Sequence, residues 1–230
     1  MAKKHKLNIT KQEIIQTGTK MFLERGYTNT SCKALADELD LSTGNITFYF
    51  PTKEHLLAVL VEMLCEFQWK MMEKAVEDGK SSLMALCLEL TAMAAICEEN
   101  EIVKDFYIST YSHPSTLAII RKNDTEKAKS VFGQFCPDRT DEQFVESEIL
   151  VSGIEYATLM TTDDTTPLDV RIAGALHSIM LIYNVPEELR DMKINKVLAM
   201  DYRDIGRSIF KEFVTYIDEV TEMALEEAKI

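Results

Sequence analysis

The sequence predicts an all-α protein. Three observations carry that prediction: apolar residues recur at steps of three and four along almost the whole chain, no strand-like alternation appears, and only five prolines punctuate 230 residues. Its 46% hydrophobic content lies in the globular range, and a chain of this length can bury one large core or a small domain beside a larger one.

At the front of the chain, Ile14, Ile15, Met21 and Phe22 stand at near-helical spacing within residues 10–25. Thr10, with Glu13 three residues on, reads as a capping box, and Gly26 ends the helix. The basic arm Lys3, Lys4, His5 and Lys6 precedes it, suited to tracking a phosphate backbone or simply to solvation. A second, short helix follows, capped by Thr30 or Ser31 and carrying Lys33, with Leu35, Ala36 and Leu39 as its apolar stripe. Asp40 and Leu41 make a brief turn, and Ser42 caps a third helix over residues 43–49. Thr43, Gly44, Asn45 and Thr47 on that helix are small or hydrogen-bonding, where a helix meant only for burial would be greasier. This is a helix-turn-helix pattern, and the front of its second helix is what such a unit turns toward base edges. There Asn can pair bidentately with adenine, and Thr can donate or meet a thymine methyl. Phe48 and Phe50 have core packing as their plain reading, with Phe48 also a candidate for the DNA face. Pro51 stops the helix. Thr52 caps a long helix from Lys53, whose ammonium and the free amides of that first turn can together hold a phosphate.

The long helix spans residues 53–78, with Leu56, Leu60, Met63, Phe67 and Met71 at steps of four and three, and Gly79 closes it. Further helices are expected over residues 81–99, 101–111, from Pro114 to near Gly133, 141–160 and 168–183, the last two separated by the T-T-D-D-T-T-P loop. After Pro186 the chain reads as helical to about Ala228, broken near Asp201. The Glu98, Glu99, Glu101 cluster reads as a solvated helix junction.

Charge is divided unevenly. Residues 1–57 hold 8 Lys and Arg against 6 Asp and Glu, while the rest holds 17 against 32, giving the net −13. An acidic body of this kind repels DNA and orients the N-terminal unit toward it. The five cysteines, Cys32, Cys65, Cys87, Cys97 and Cys136, form no C-x-x-C pair, which argues against structural zinc and a disulfide framework. No apolar run reaches the roughly 18 residues needed to span a bilayer, and no apolar stretch follows the basic start, so a cytoplasmic protein without a membrane partner is expected. An enzyme is not expected: there is no Gly-rich phosphate loop, H-E-x-x-H or G-x-S-x-G. His5, His55, His113 and His177 lack metal-ligand spacing, so neither metal nor cofactor is called for.

Several separately placed elements resemble the TetR family of transcriptional regulators: M-F-x-x-x-G-Y at residues 21–27, Thr30-Ser31, S-x-G at 42–44 and Y-F-x-x-K-E-x-L at 49–56. The likeness covers about residues 8–57. The chain departs from the family pattern in having Leu39-Asp40 where Ala-Gly is usual, Thr47 where Tyr is usual, and Tyr49 where His is frequent. Asp tolerates the left-handed conformation such a turn requires. Tyr49 is placed to make the phosphate contact that Thr47 is too short for. The resemblance implies a three-helix DNA-binding domain over residues 1–57 and a larger helical ligand-binding and dimerisation domain over 58–230. It also implies a ligand-responsive regulator, a repressor that binds double-stranded, palindromic operator DNA as a homodimer. A constitutive regulator without a small-molecule ligand and a helical adaptor are the alternatives. Thr30, Ser31, Lys33, Ser42, Thr43, Gly44, Asn45, Thr47, Phe48, Tyr49 and Lys53 are the expected DNA-binding residues.

The resemblance also gives the body its sharper readings. Met and aromatic residues at helical spacing are ordinarily core; a family effector cavity instead draws on Phe67, Trp69, Met93, Phe106, Tyr107, Tyr111, Tyr156, Met160, His177 and Met180. The excess acid allows a cationic ligand, and surface solubility explains it equally well. Ile205, Ile209, Phe213, Tyr216 and Val220 form a stripe on a terminal helix that is apolar on more than one face, and Gly206, Ala173 and Gly174 allow close helix approach. These suit either a dimer interface or a thoroughly buried helix, and the resemblance favours the dimer.

Overall fold

The computed structural model describes residues 2–162 and 166–230, with the side chains of residues 2–6 and 76 outside the description. Eleven α-helices run through the described residues, and no strand occurs among them. Three helices form the N-terminal unit: α1 (Ala2–Arg25), α2 (Cys32–Glu38) and α3 (Thr43–Tyr49). A long helix, α4 (Lys53–Glu77), leads into the body. The body comprises α5 (Ser82–Glu99), α6 (Glu101–Ser112), α7 (Pro114–Phe132), α8 (Asp141–Met160), α9 (Leu168–Ile182), α10 (Glu187–Leu198) and α11 (Tyr202–Lys229).

The helix starts follow the chemistry of their caps. Ser31 accepts from the Ala34 amide at 3.0 Å, Ser81 from Met84 at 3.3 Å, and Asn100 from Ile102 and Val103 at 3.0 and 3.2 Å. Thr140 and Gln143 close a capping box, and Asp201 caps α11 at the expected break. Each such cap is worth about 1 kcal/mol. One start differs from expectation: α1 begins at Ala2, so Thr10 lies inside the helix and does not cap it. No breaker separates Ala2 from Thr10, and Lys and Leu are good helix formers. The basic arm is therefore the first turns of α1, its side chains outside the described residues. The expected loop over residues 161–167 falls partly on residues 163–165, also outside the described residues.

Body packing centres on α5, buried on nearly every face from Leu83 to Cys97. Helix α11 lies along α5 and continues onto α1, bracing the N-terminal unit from the far end of the chain. Gly206 permits the crossing, since a Cβ there would stand 2.8 Å from the Ala92 carbonyl oxygen. Phe213 and Ile217 are buried on the same helix, and Tyr216 donates to Glu66 of α4 at 3.1 Å. One face of α11, with Gly206, Phe213 and Ile217, is thus taken up by α5, α4 and α1 of the same chain, while Met223 stands exposed. Gly206 and Phe213 are closed to a partner, which corrects their expected place in a dimer interface.

A second correction concerns the acidic cluster at the end of α5. Glu98 pairs with Arg171 of α9 and with Arg203 of α11 at 2.8 Å, while Glu99 pairs with Arg203 at 3.3 Å and Arg207 at 2.8 Å. Two neighbouring carboxylates at a helix end thereby clamp two other helices.

Gly206→Ala is expected to destabilise the protein by about 1–3 kcal/mol through overpacking against a backbone carbonyl. Urea unfolding should show a lower midpoint with an unchanged slope.

Candidate functional site

The N-terminal unit packs around Ile14, Phe22, Leu35, Ile46, Phe50 and Leu56, all buried. Asp40 takes a positive φ of 53°, the left-handed turn expected between α2 and α3. Helix α3 turns Ile46 inward and leaves Thr43, Gly44, Asn45, Thr47 and Phe48 exposed, with Tyr49 half-buried. Phe48 is 69% exposed, its ring edge-on to Tyr49 at 5.0 Å, so the core reading applies to Phe50 and not to Phe48. A Cβ on Gly44 would meet only Ser42 Oγ, at 3.7 Å, so the open space beside its backbone faces outward.

Three of the expected DNA-facing residues are engaged elsewhere. Asn45 closes a capping box: its amide N–H reaches Ser42 Oγ at 3.3 Å, and its Oδ1 accepts from the Ser42 amide at 3.2 Å and from Ser42 Oγ at 2.6 Å. Bidentate pairing with adenine needs that oxygen, so only the Nδ2 donor remains for an outside partner. Thr30 is buried and donates to the Gly26 carbonyl at 2.8 Å. Lys53 donates to the carbonyls of Tyr27 and Thr30 at 2.9 and 3.3 Å and lies 4.0 Å from the Tyr27 ring centroid. Its ammonium binds the α1–α2 loop where a phosphate contact was expected. The outward set is therefore Ser31, Lys33, Ser42, Thr43, Gly44, Thr47, Phe48 and the Asn45 amide group, with Tyr49 at its edge.

The same loop meets the body. Gly26 has φ of +89°, the Thr28 amide donates to Asp105 Oδ2 of α6 at 2.9 Å, and the Thr28 hydroxyl donates to Asp105 Oδ1. Tyr27 packs edge-on against His113 at 5.4 Å. Sequence reasoning missed this junction because Asp105 is 77 residues from its partner and belongs to no motif.

Between α4, α5 and α11 lies a cavity of about 280 Å³, walled by Leu64, Phe67, Met71, Met93, Tyr107, Ile205, Ile209, Phe210 and Phe213. It has Lys74, Asp78, Lys80 and Glu212 among its lining residues. Of the expected ligand residues, Phe67, Met93 and Tyr107 line it. Phe106 and Met180 are 0% exposed and serve the core, Met160 is exposed at the end of α8, and His177 is half-buried on α9. Trp69 donates to Asn123 at 2.8 Å, and Tyr111 donates to Glu155 at 3.0 Å with its ring 6.4 Å from that of Tyr156. Ile205, Ile209 and Phe213, expected at a dimer interface, are among its walls.

Lys53→Ala should cost about 1.5–3 kcal/mol of stability by removing two charge-assisted hydrogen bonds, and Asn45→Ala about 1 kcal/mol by opening the α3 cap. Thermal and urea unfolding of both variants test these values.

Residues 14–60 match the family model for bacterial regulatory proteins of the tetR family. A curated relative, an uncharacterized HTH-type transcriptional regulator YuxN of Bacillus subtilis (strain 168), is 31% identical over 80 residues, which are 35% of this chain and 28% of that protein. The chain thus matches little more than a quarter of the length of that relative. Two solved structures are similar at 18% identity. The TetR family protein CprB from S. coelicolor A3(2) covers 90% of this chain and 99% of its own, with a TM-score of 0.44. A gamma-butyrolactone receptor (ArpA-like protein) covers 88% and 97%, with a TM-score of 0.42. With its helix-turn-helix assembled on α1 and the start of α4, the segment 14–60 is an N-terminal domain of the tetR family of bacterial regulatory proteins.

Proposed function

We propose that the chain is a transcriptional regulator, a repressor whose residues 1–57 bind operator DNA and whose residues 58–230 bind an effector and pair with a second copy. The observation that carries this reading is α3: a buried Ile46 fixes the helix while small and polar side chains stand wholly exposed on its other face. Lys33 offers this surface one exposed ammonium for a phosphate, and the bare backbone at Gly44 allows close approach of a phosphate or base edge. Such a partner implies the cytoplasm as the working compartment.

The 280 Å³ cavity suits an apolar effector. It lies between α4 and α11, and both helices reach the N-terminal unit. An effector that pushes them apart shifts α1 from two sides and changes the spacing of two recognition helices in a dimer. Linkage then requires operator DNA to weaken effector binding by the factor the effector weakens operator binding.

For the second copy, the favoured face is on α8 and α9. Val145, Ile149, Leu150 and Met160 on α8 and Val170 and Leu181 on α9 are exposed apolar residues on helices packed side by side. Gly153 and Gly174 have open space above them, and Ala173 is half-buried beside the latter. A patch of this kind marks an interface, and α8–α9 pairing across a two-fold axis would bury it.

Mobility shifts on duplex DNA containing the chain's own promoter test the central claim. Lys33→Ala should flatten the salt dependence by about one unit of slope. Gly44→Leu should melt like the unmodified protein and lose binding, because its new side chain meets nothing inside the fold. Full binding by Gly44→Leu overturns the assignment of α3. For assembly, Ile149→Asp should give a folded monomer by light scattering, whereas Phe213→Asp should unfold the chain. A folded Ile149→Asp dimer would exclude the α8–α9 face.

A further inference from the structure

Deeper in the body a second cavity, of about 40 Å³, lies where α4 to α8 and the end of α9 meet. It exceeds the roughly 10–15 Å³ that one water requires. Four carboxylates line it, Glu89 of α5, Asp124 of α7 and Glu148 and Glu155 of α8, against one ammonium, that of Lys127. Lys127 is spoken for: its Nζ lies 2.9 Å from Glu89, 3.2 Å from Gln68 and 3.9 Å from Asp124. The nearby guanidiniums bond elsewhere, Arg121 to the Ser152 hydroxyl, Arg139 to the Ser147 hydroxyl and the Ile182 carbonyl.

Among the described residues neither Glu148 nor Glu155 forms an ion pair, and Lys127 and Arg121 act on Glu148 only from a distance. Tyr183 donates its hydroxyl to Glu148 Oε1, and Tyr111 donates to Glu155 Oε2 at 3.0 Å. Glu148 is 2% exposed, and its other oxygen, Oε2, is buried with no hydrogen-bond partner. A native chain rarely leaves such an acceptor empty, and it rarely buries several carboxylates against one cation without a further counter-charge. Phe132, Tyr111 and Tyr183 form part of the wall, with the Phe132 and Tyr183 rings stacked on each other at 4.3 Å.

We propose that this cavity binds a small organic cation with N–H donors, an alkylammonium in class, its charge balanced by Glu148 and Glu155 and one N–H directed to Glu148 Oε2. The site is distinct from the apolar effector cavity and stands independently of that reading. Leu64, Gln68, Glu89, Met93 and Tyr107 line both spaces, so the larger cavity provides the way in. Burial pushes the Glu148 carboxyl up to about 7 and, despite the Lys127 ammonium beside it, that of Asp124 to about 6.

Trp69, the sole tryptophan, reports on the site: its indole donates to Asn123, whose amide donates to Asp124 at 3.0 Å. At about pH 8, above the values of Glu148 and Asp124, methylammonium chloride should produce a saturable change in Trp69 fluorescence, and methanol, its neutral counterpart, none. Glu148→Gln and Glu155→Gln should each weaken binding about tenfold or more, the loss expected when a charge-assisted bond is removed. Stability gives a second readout. A carboxyl whose folded value is raised from 4.5 to about 7 makes the protein lose stability as pH rises through that interval. Glu148→Gln should flatten this slope, and methylammonium should restore the unmodified protein at the alkaline end. An equal response to methanol, unchanged affinity in both variants, or a pH slope that methylammonium does not alter would overturn the proposal. None of these outcomes bears on DNA binding or the apolar cavity.

Discussion

The ammonium of Lys53 is the interaction on which the N-terminal unit depends. It draws the carbonyls of Tyr27 and Thr30 onto the first turn of α4, so the loop after α1 cannot move without α4 moving. Asp105 holds the same loop from α6 through the Thr28 amide and hydroxyl. Five residues, 26–30, are thereby gripped from the long helix on one side and from the body on the other. Any shift in α4 or α6 is delivered to the root of the helix-turn-helix. Lys53 thus ties the orientation of the helix-turn-helix to the first turn of α4.

A second constraint runs along α11. Its crossing with α5 is set by the bare backbone at Gly206, its Arg203 and Arg207 are clamped by the carboxylates that end α5, and its far part lies on α1. The cavity lies beside the contact of Phe67 of α4 with Phe213 of α11, whose rings are 5.3 Å apart, and both helices remain anchored at the N-terminal unit. Apolar space and mechanical output thus share the same two helices.

Much of this was legible in the sequence, because local chemistry decided it. Caps at Ser31, Ser42 and Asp201, the left-handed turn at Asp40 and the glycine stops at Gly26 and Gly79 fixed the helix order. Two of the expected DNA-facing side chains have competing duties. Asn45 is equally suited to a base edge and to an N3 capping position, and the cap is three residues away. Lys53 is equally suited to a phosphate and to two backbone carbonyls, and the fold brings the carbonyls to it. The stripe on α11 carries no mark of which helix covers it, because apolar periodicity records burial without recording the partner. The exposed residues of α8 were hidden for the converse reason: Val145, Ile149 and Leu150 read like any core positions until the neighbouring helices are in place.

The contact between α1 and α11 has a consequence for how the protein is made. These helices lie about 200 residues apart, and closing a loop of that length costs entropy before any contact repays it. The motif most readable in isolation is therefore not an autonomous folding unit in energetic terms. During synthesis its first helix must wait, with an apolar flank uncovered, until the distant helix that covers it has left the ribosome. Folding of the helix-turn-helix unit is in this way coupled to completion of the body, and a chain interrupted before α11 would carry an incompletely supported N-terminal unit.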